Sequence, residues 1–365
     1  METELIEEAI IKLFPPGSVR VQEPSEVRPE GRYWIIPGNE GPKWIVPQNS
    51  HYGYSVLSQW HPYNISSRIK WIALLRAYRS GLLGRLPGVT PLNIHTTEPA
   101  DWSHLGRRET SLLPVIYIGT KGQSQKINAT LVDMSTGKAK CLVKIPVGPQ
   151  ASERIIREAD LLMRLAIEKP GISPKLIHSD KDIGIATQEA IAGRLTGRTF
   201  GRHHSTYLNG LLNEEGTTDI MTQVDQLQNR IVDGSITIEK TVRDRLLHVL
   251  DTLNDSSAIP SSWVHGDFVP WNIMMLDNGR VMALDWEMAE PDGLPFFDLF
   301  YFIYQQNFLF GERRNASSFL KEVATGFSCK FLEEVKICCL ASMTIRYSLE
   351  GRDISFFHRE LSKQL

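Results

Sequence analysis

The stretch Val264-His265-Gly266-Asp267-Phe268-Val269-Pro270-Trp271-Asn272-Ile273, followed by Ala283-Leu284-Asp285-Trp286-Glu287, decides how this chain is read. Asn272 lies five positions after Asp267, and Asp285 lies eighteen after it. Strand-type residues (Val264, Ile273, Val281, Leu284) flank each polar group. An acid near an Asn is ordinarily turn chemistry, because both side chains bond their own backbone. Here His265-Gly266 precedes the acid, and a second acid follows at an apparent strand end. Together these groups suit phosphoryl transfer. One carboxylate accepts a hydroxyl proton, while an amide oxygen and a second carboxylate hold metal against phosphates.

The protein-kinase catalytic loop also leaves four residues between its base and its metal-binding Asn, with a metal-binding Asp on a later strand. In this chain Gly266 stands where those enzymes have Arg, and Trp286-Glu287 follow Asp285 where they have Phe-Gly. The pattern resembles the aminoglycoside phosphotransferase and choline kinase-like family. That family's signature is His-Gly-Asp, Asn five positions after the Asp, then Asp-Trp-Glu or a close variant. The resemblance covers roughly residues 111–350. It implies an α+β, protein kinase-like, two-lobed fold, with a small antiparallel-sheet lobe over 111–192 and a helical large lobe over 193–365. An extra N-terminal α+β segment, 1–105, lies outside it. The resemblance further implies Asp267 as base, Asn272 and Asp285 as Mg²⁺ ligands, and ATP or GTP as phosphoryl donor. The acceptor is then a hydroxyl of a small molecule such as a sugar, an amino alcohol or an antibiotic-like metabolite. Residues 188–191 fall where the family's strand and hinge bind the adenine edge, which makes Gln188, Glu189 and Ile191 nucleotide-site candidates. Asp298 matches an Asp that bonds the catalytic-loop backbone.

Strand patterns run from Val115 to Ile118, Ile127 to Asp133 and Lys140 to Ile145. Gly119-Thr120-Lys121-Gly122-Gln123-Ser124 joins the first two. Gly119, Gly122 and Ser124 would let backbone amides approach phosphates, although a Gly-rich hairpin turn looks the same. Lys144 ends the third strand, and a Lys there usually just reaches for solvent. The functional reading needs a carboxylate from the following helix, 152–168, where Glu158 rides. Such a pair would aim the ammonium at the inner phosphates. Glu153 is the alternative partner, but it sits at the helix start, where an acid is favoured by the dipole alone. Helical patterns cover much of 204–254, and also 296–310 and 316–350. The aromatic stripe Phe296, Phe297, Phe300, Tyr301 and Tyr304 reads as core. His265 reads as packing and orienting the loop, while Glu287 fits either the metal shell or a loop bond.

The net charge of −2, from 40 basic and 42 acidic residues, gives no polycation for nucleic acid. Four cysteines in 365 residues, with no Cys-x-x-Cys spacing, fit a reducing compartment. The acidic start, Met1-Glu2-Thr3-Glu4, lacks the pattern of a signal peptide, and no apolar run suggests a membrane span, so a cytoplasmic protein is expected. Residues 1–105 match no family pattern but hold five of the eight tryptophans. A helix is expected over 3–14, strands at Trp34–Pro37 and Trp44–Pro47, and a helix over 64–86 with Ile65, Ile69, Ile72, Leu75 and Tyr78 at helical spacing. No Asp or Glu occurs from Gly41 to Thr97, whereas Lys43, Arg68, Lys70, Arg76, Arg79 and Arg85 do. These cations read as a solvated face or as a surface for an anionic partner, including an anionic acceptor. Glu214, Glu215, Asp219 and Asp225 are the counterpart candidates for a cationic acceptor. The competing reading is a nucleotide-binding pseudokinase or regulatory protein that signals through the N-terminal segment. The presence of base, lysine and both metal ligands together argues against it.

Overall fold

The computed structural model describes residues 2–14, 18–21, 31–96, 101–232, 238–254, 256–312, 320 and 328–363. The chain divides into two units, one of residues 1–195 with 275–278 and one of 196–274 with 279–365.

The first unit is organised by alternation along its strands. In Ala139–Pro146, Cys141, Val143 and Ile145 point to one face, while Leu142 and Lys144 point to the other. In order the unit contains α1 (Glu2–Leu13), β1 (Val19–Val21), β2 (Arg32–Gly38), β3 (Gly41–Pro47), α2 (Ser50–Gln59), α3 (Ile65–Arg79) and β4 (Thr90–Thr96). There follow β5 (Leu112–Ile118), β6 (Lys126–Asp133), β7 (Ala139–Pro146), α4 (Ala151–Glu168), β8 (Leu176–Asp180), β9 (Ile185–Glu189) and β10 (Arg194–Leu195). Nine strands form one sheet in the order β1-β4-β2-β3-β5-β6-β7-β9-β8. The expected boundary between an N-terminal segment 1–105 and a small lobe 111–192 is therefore not a break in the fold. Trp44 and Ile45 of β3 pair with Tyr117 and Ile116 of β5, and the sheet runs through.

Both sheet faces are covered. Ile10 and Leu13 of α1, with Phe14 just after it, join Trp102 and Leu105 against Ile45, Ile116, Ala129 and Val143. On the other face, Leu57 of α2 and Trp71 and Tyr78 of α3 pack on Ile36, Trp44, Val46 and Val115. Trp44, Trp60 and Trp71 lie 4.6–6.2 Å apart, ring centroid to ring centroid, and the Trp71 indole N–H donates to Trp60 O at 2.8 Å. The helix expected over 64–86 ends earlier, at Arg79. Its buried side is Trp71 and Tyr78, whereas Ile65, Ile69 and Ile72 face water.

In the second unit, α5 (Arg202–Gly210), β11 (Leu212–Thr218), α6 (Ile220–Val232), α7 (Lys240–Asp251) and β12 (Ile259–Val264) lead to the motif. After it come β13 (Ile273–Met275), β14 (Val281–Ala283), β15 (Glu290–Gly293), α8 (Phe297–Phe310), α9 (Cys329–Leu349) and α10 (Ser355–Ser362). The helix expected from 316 lies partly outside the described residues, because 316–319 and 321–327 do so. Strand β12 is central in a sheet of order β11-β12-β15, and β13 and β14 are neighbours in another.

His204 of α5 is buried between Phe200, at 5.1 Å, and Phe302, at 5.3 Å. Its Nδ1 accepts from the Gly201 N–H at 3.1 Å, so the neutral ring carries its proton on Nε2. Burial pushes its pKa down to about 4. A depressed histidine contributes stability that is complete above its unfolded value near 6.5 and is lost as pH falls toward 4. The contribution is about 3 kcal/mol from the shift. Urea unfolding at pH 7 and pH 4 should show the wild type losing that much more than His204→Phe. Equal losses in both proteins would contradict the assignment.

Candidate active site

Each unit carries one cluster that the sequence analysis singled out. In the first unit, residues opposite one another on neighbouring strands make the row Ile36, Trp44, Tyr117, Asn128, Lys144 and Ala186. The same pleat thus points Lys144 toward the face on which α4 lies, where Ile155 and Ala159 pack on Ala186. Glu158 comes down from α4 and accepts two bonds from Lys144 Nζ, at 2.7 Å to Oε1 and 2.5 Å to Oε2. Both residues are buried. Glu153 lies in the first turn of α4. The next residue in the row, Asn128, has an amide oxygen with no hydrogen-bond partner among the described residues.

The loop Gly119–Ser124 caps the β5–β6 hairpin and is anchored to the approach to α4. Gln123 O accepts from Gln150 N at 2.9 Å, and Gln125 O accepts from Gly148 N at 2.8 Å. A Cβ on Gly148 would stand 2.3 Å from Gln123 O, so this contact requires glycine. Gly119 closes the hairpin by donating to Lys126 O, while Gly122, at φ +153°, and Ser124 lie in the turn. Gln188 and Glu189 belong to β9. Gln188 is buried opposite Leu142, and the Glu189 N–H is already bonded to Lys175 O at 2.8 Å. Ile191 follows in irregular chain.

In the second unit, β12 delivers His265 to a sharp turn. Gly266 sits there at φ +74°, and a Cβ would meet Met288 O at 2.4 Å, which is why glycine replaces the Arg of protein kinases. Asp298, at the start of α8, accepts from the N–H groups of His265 at 2.6 Å and Gly266 at 3.0 Å. Burial pushes the Asp298 carboxyl up to about 7, against the pull of those two donors. His265 Nδ1 accepts from Asp267 N at 3.2 Å, so its Nε2 donates to Leu284 O at 2.9 Å. One imidazole therefore ties the loop of the first acid to the strand end before the second. Phe268, fully buried, stacks on Tyr207 at 5.7 Å and anchors the loop from beneath.

Asp267 is held on both oxygens. Tyr301 donates to Oδ1 at 2.9 Å, Arg346 Nη1 reaches the same atom at 3.5 Å, and Asn272 Nδ2 donates to Oδ2 at 2.9 Å. Arg346 also donates to Gly266 O at 3.1 Å and to Tyr301 Oη at 2.8 Å. Burial works against the Arg346 charge, but Asp267, Tyr301 and Glu350 outweigh it and hold the guanidinium more firmly protonated than usual. Burial and the neighbouring carboxylate raise the Tyr301 phenol well above its ordinary value, so it remains a donor. Tyr301 belongs to the aromatic stripe expected in the core, and Arg346 is not among the candidates that the sequence offers. Nothing local marks either residue, since they reach Asp267 from α8 and α9.

Because the Asn272 nitrogen points at Asp267, its oxygen faces the other way. Leu284 N donates to Asn272 O at 2.7 Å, which sets Asp285 beside it on the hairpin. Asp285 takes φ +67°, a left-handed conformation rare outside glycine and common at functional sites. An amide and a carboxylate oxygen are the hard donors that Mg²⁺ takes when phosphates complete its shell. Among the described residues no cluster of three His, Cys, Asp or Glu could hold a metal. Of the acids considered for a cationic acceptor, Asp219 is occupied as a helix cap, accepting from Thr222 N at 2.8 Å. Glu215 and Asp225 are exposed, and the Glu214 side chain lies outside the described residues.

A model described as the phosphotransferase enzyme family matches residues 218–327, which contain Asp267, Asn272, Asp285 and Asp298. Over these residues, less than a third of the chain, the sequence is similar to that family. The expected phosphotransferase class therefore holds, and Lys144 and Glu158 lie outside the matched stretch. A candidate fructosamine-3-kinase from Thermobifida fusca shares the fold at a TM-score of 0.50 and 13% identity, covering 72% of this chain and 96% of its own. A choline kinase from Streptococcus pneumoniae (TM-score 0.46, 17% identity) covers 70% of this chain and 93% of its own. A macrolide 2'-phosphotransferase type I (0.44, 16%) covers 70% and 92%. The kinase-like α+β fold expected for the family is the one observed. No curated protein matches by sequence. No described helix is long and apolar enough to cross a membrane.

Proposed function

We propose that this phosphotransferase moves the γ-phosphoryl group of Mg-ATP to a hydroxyl of a small molecule, with Asp267 as the base. The observation that carries the reading is the wiring of Asp267. Three donors fix both carboxylate oxygens, so the group is oriented before any substrate arrives. Asp267 takes up the hydroxyl proton. Tyr301 and Arg346 stabilise its position and charge, and so act as positioning residues. Asn272 Oδ1 and Asp285 would hold Mg²⁺, which when bound neutralises charge on the phosphates. Lys144, kept extended by Glu158, would bind the inner phosphates, and the Gly119–Ser124 loop would cover them. The protein's contribution is positioning and electrostatics. A hydroxylated metabolite is the acceptor class, as choline and macrolides are named for two similar structures.

Calorimetric titration of Mg-ATP into the wild type and Asp285→Asn tests the site. Binding should depend on Mg²⁺ and weaken at least tenfold in the variant, a loss of about 1.4 kcal/mol or more. If a well-folded wild type binds neither Mg-ATP nor Mg-GTP, the transferase reading fails.

A further inference from the structure

Helix α3 is amphipathic in two directions. Trp71 and Tyr78 point into the unit. On the opposite side Ile65 is 78% exposed, Ile69 64% and Ile72 42%. Their i, i+4, i+7 spacing places them on one stripe. Arg68 and Arg76, both exposed, fall on the same stripe at helical spacing, and exposed Lys70 lies on its flank. Among the described residues none of these three cations makes an ion pair, whereas Arg79 is partly engaged over the Tyr54 ring at 5.4 Å. A single exposed isoleucine needs no explanation. Three along about two turns of one helix, set among guanidinium groups, mark an interaction surface.

We propose that α3 docks the protein on an anionic lipid surface. Ile65, Ile69 and Ile72 enter the headgroup boundary, and Arg68, Lys70 and Arg76 meet lipid phosphates. Charge complementarity selects this occupant. The segment 41–97, which contains α3, has no carboxylate, so the helix itself presents cations alone to an anionic plane. Long cationic side chains can lie along the plane while the isoleucines enter it. A second copy of the chain would bring the same cations face to face. A convex stripe also suits a fluid plane better than a partner's preformed groove. The inference concerns where the enzyme works and does not rest on the transfer reaction.

The test is co-sedimentation of the full chain with phosphatidylcholine vesicles, with and without phosphatidylserine. Binding is expected only with phosphatidylserine, and it should weaken as salt rises. Arg68→Ala and Arg76→Ala should each lower partitioning about fivefold, following the contribution of one basic residue near an anionic surface. The triple variant Ile65→Ser, Ile69→Ser, Ile72→Ser should abolish binding while keeping the wild-type thermal midpoint, because all three sites are exposed. Failure of the folded wild type to sediment with anionic vesicles would overturn the proposal. So would binding that survives both sets of substitutions. A lipid-free dimer abolished by the triple variant would assign the stripe to a second copy instead.

Discussion

Asp267→Asn should lower the rate of ADP release from Mg-ATP about 10²- to 10⁴-fold, the usual contribution of a positioned general base. Asn keeps the shape of Asp and can still accept from Tyr301 and Arg346, which now approach Oδ1 at 2.9 and 3.5 Å. What it cannot do is take a proton. Water serves as the acceptor hydroxyl in this assay, so the natural acceptor need not be known. Calorimetry on the same variant should show Mg-ATP binding close to wild type, because Asn272 keeps its bond to the backbone oxygen of residue 267 at 3.0 Å and Asp285 is untouched. A variant that hydrolyses ATP at the wild-type rate would remove Asp267 from the role of base. Loss of both binding and hydrolysis would make it a structural residue.

Lys144→Met is expected to be the most destabilising single change in the first unit. It leaves the Glu158 carboxylate, 2% exposed, without the ammonium that bonds both its oxygens. Breaking a buried pair from one side costs about 3–5 kcal/mol, whereas replacing both partners by apolar groups is often near neutral. Urea unfolding should therefore show a large loss for Lys144→Met and substantial recovery for Lys144→Met with Glu158→Leu. Both variants should lose Mg-ATP binding. Stability and function then separate cleanly, since the double variant folds but has no lysine for the phosphates. A single variant as stable as wild type would contradict the buried-pair assignment.

The parts of the site that follow a short period were legible in the sequence. Lys144 and Glu158 declare themselves because a two-residue alternation and a helical repeat put each on a definite face. The His265–Asn272 loop and Asp285 could be read from spacing alone. Arg346 and Tyr301 could not, because their link to Asp267 spans 79 and 34 positions and depends on how helices pack. Strand β11 was hidden for a related reason. Leu212-Asn213-Glu214-Glu215-Gly216-Thr217-Thr218 has no apolar alternation and becomes a strand only by pairing with β12, through a register shift between Asn213 and Thr217. Helix α2 also went unread, since only Gly53 and Leu57 are buried and the repeat is too sparse to show. Periodicity along α3 identified the helix but not its orientation. The isoleucines that looked like its core side face outward, because Trp71 and Tyr78 offer more area to bury.

The pairing of β3 with β5 gives the N-terminal third of the chain a duty beyond any partner it meets. Strand β5 is apolar toward both sides of the sheet, with Leu112, Val115, Ile116 and Ile118 all buried. A strand of that composition left at a margin would offer its unpaired amides and carbonyls to any passing chain, the usual seed of aggregation. It also carries none of the charges that guard natural margins. Here the exposed margins fall instead on β1 and β8, three and five residues long. The first hundred residues thus act as a built-in chaperone for the rest of the sheet, and a chain shortened to begin at β5 would lose that protection from itself.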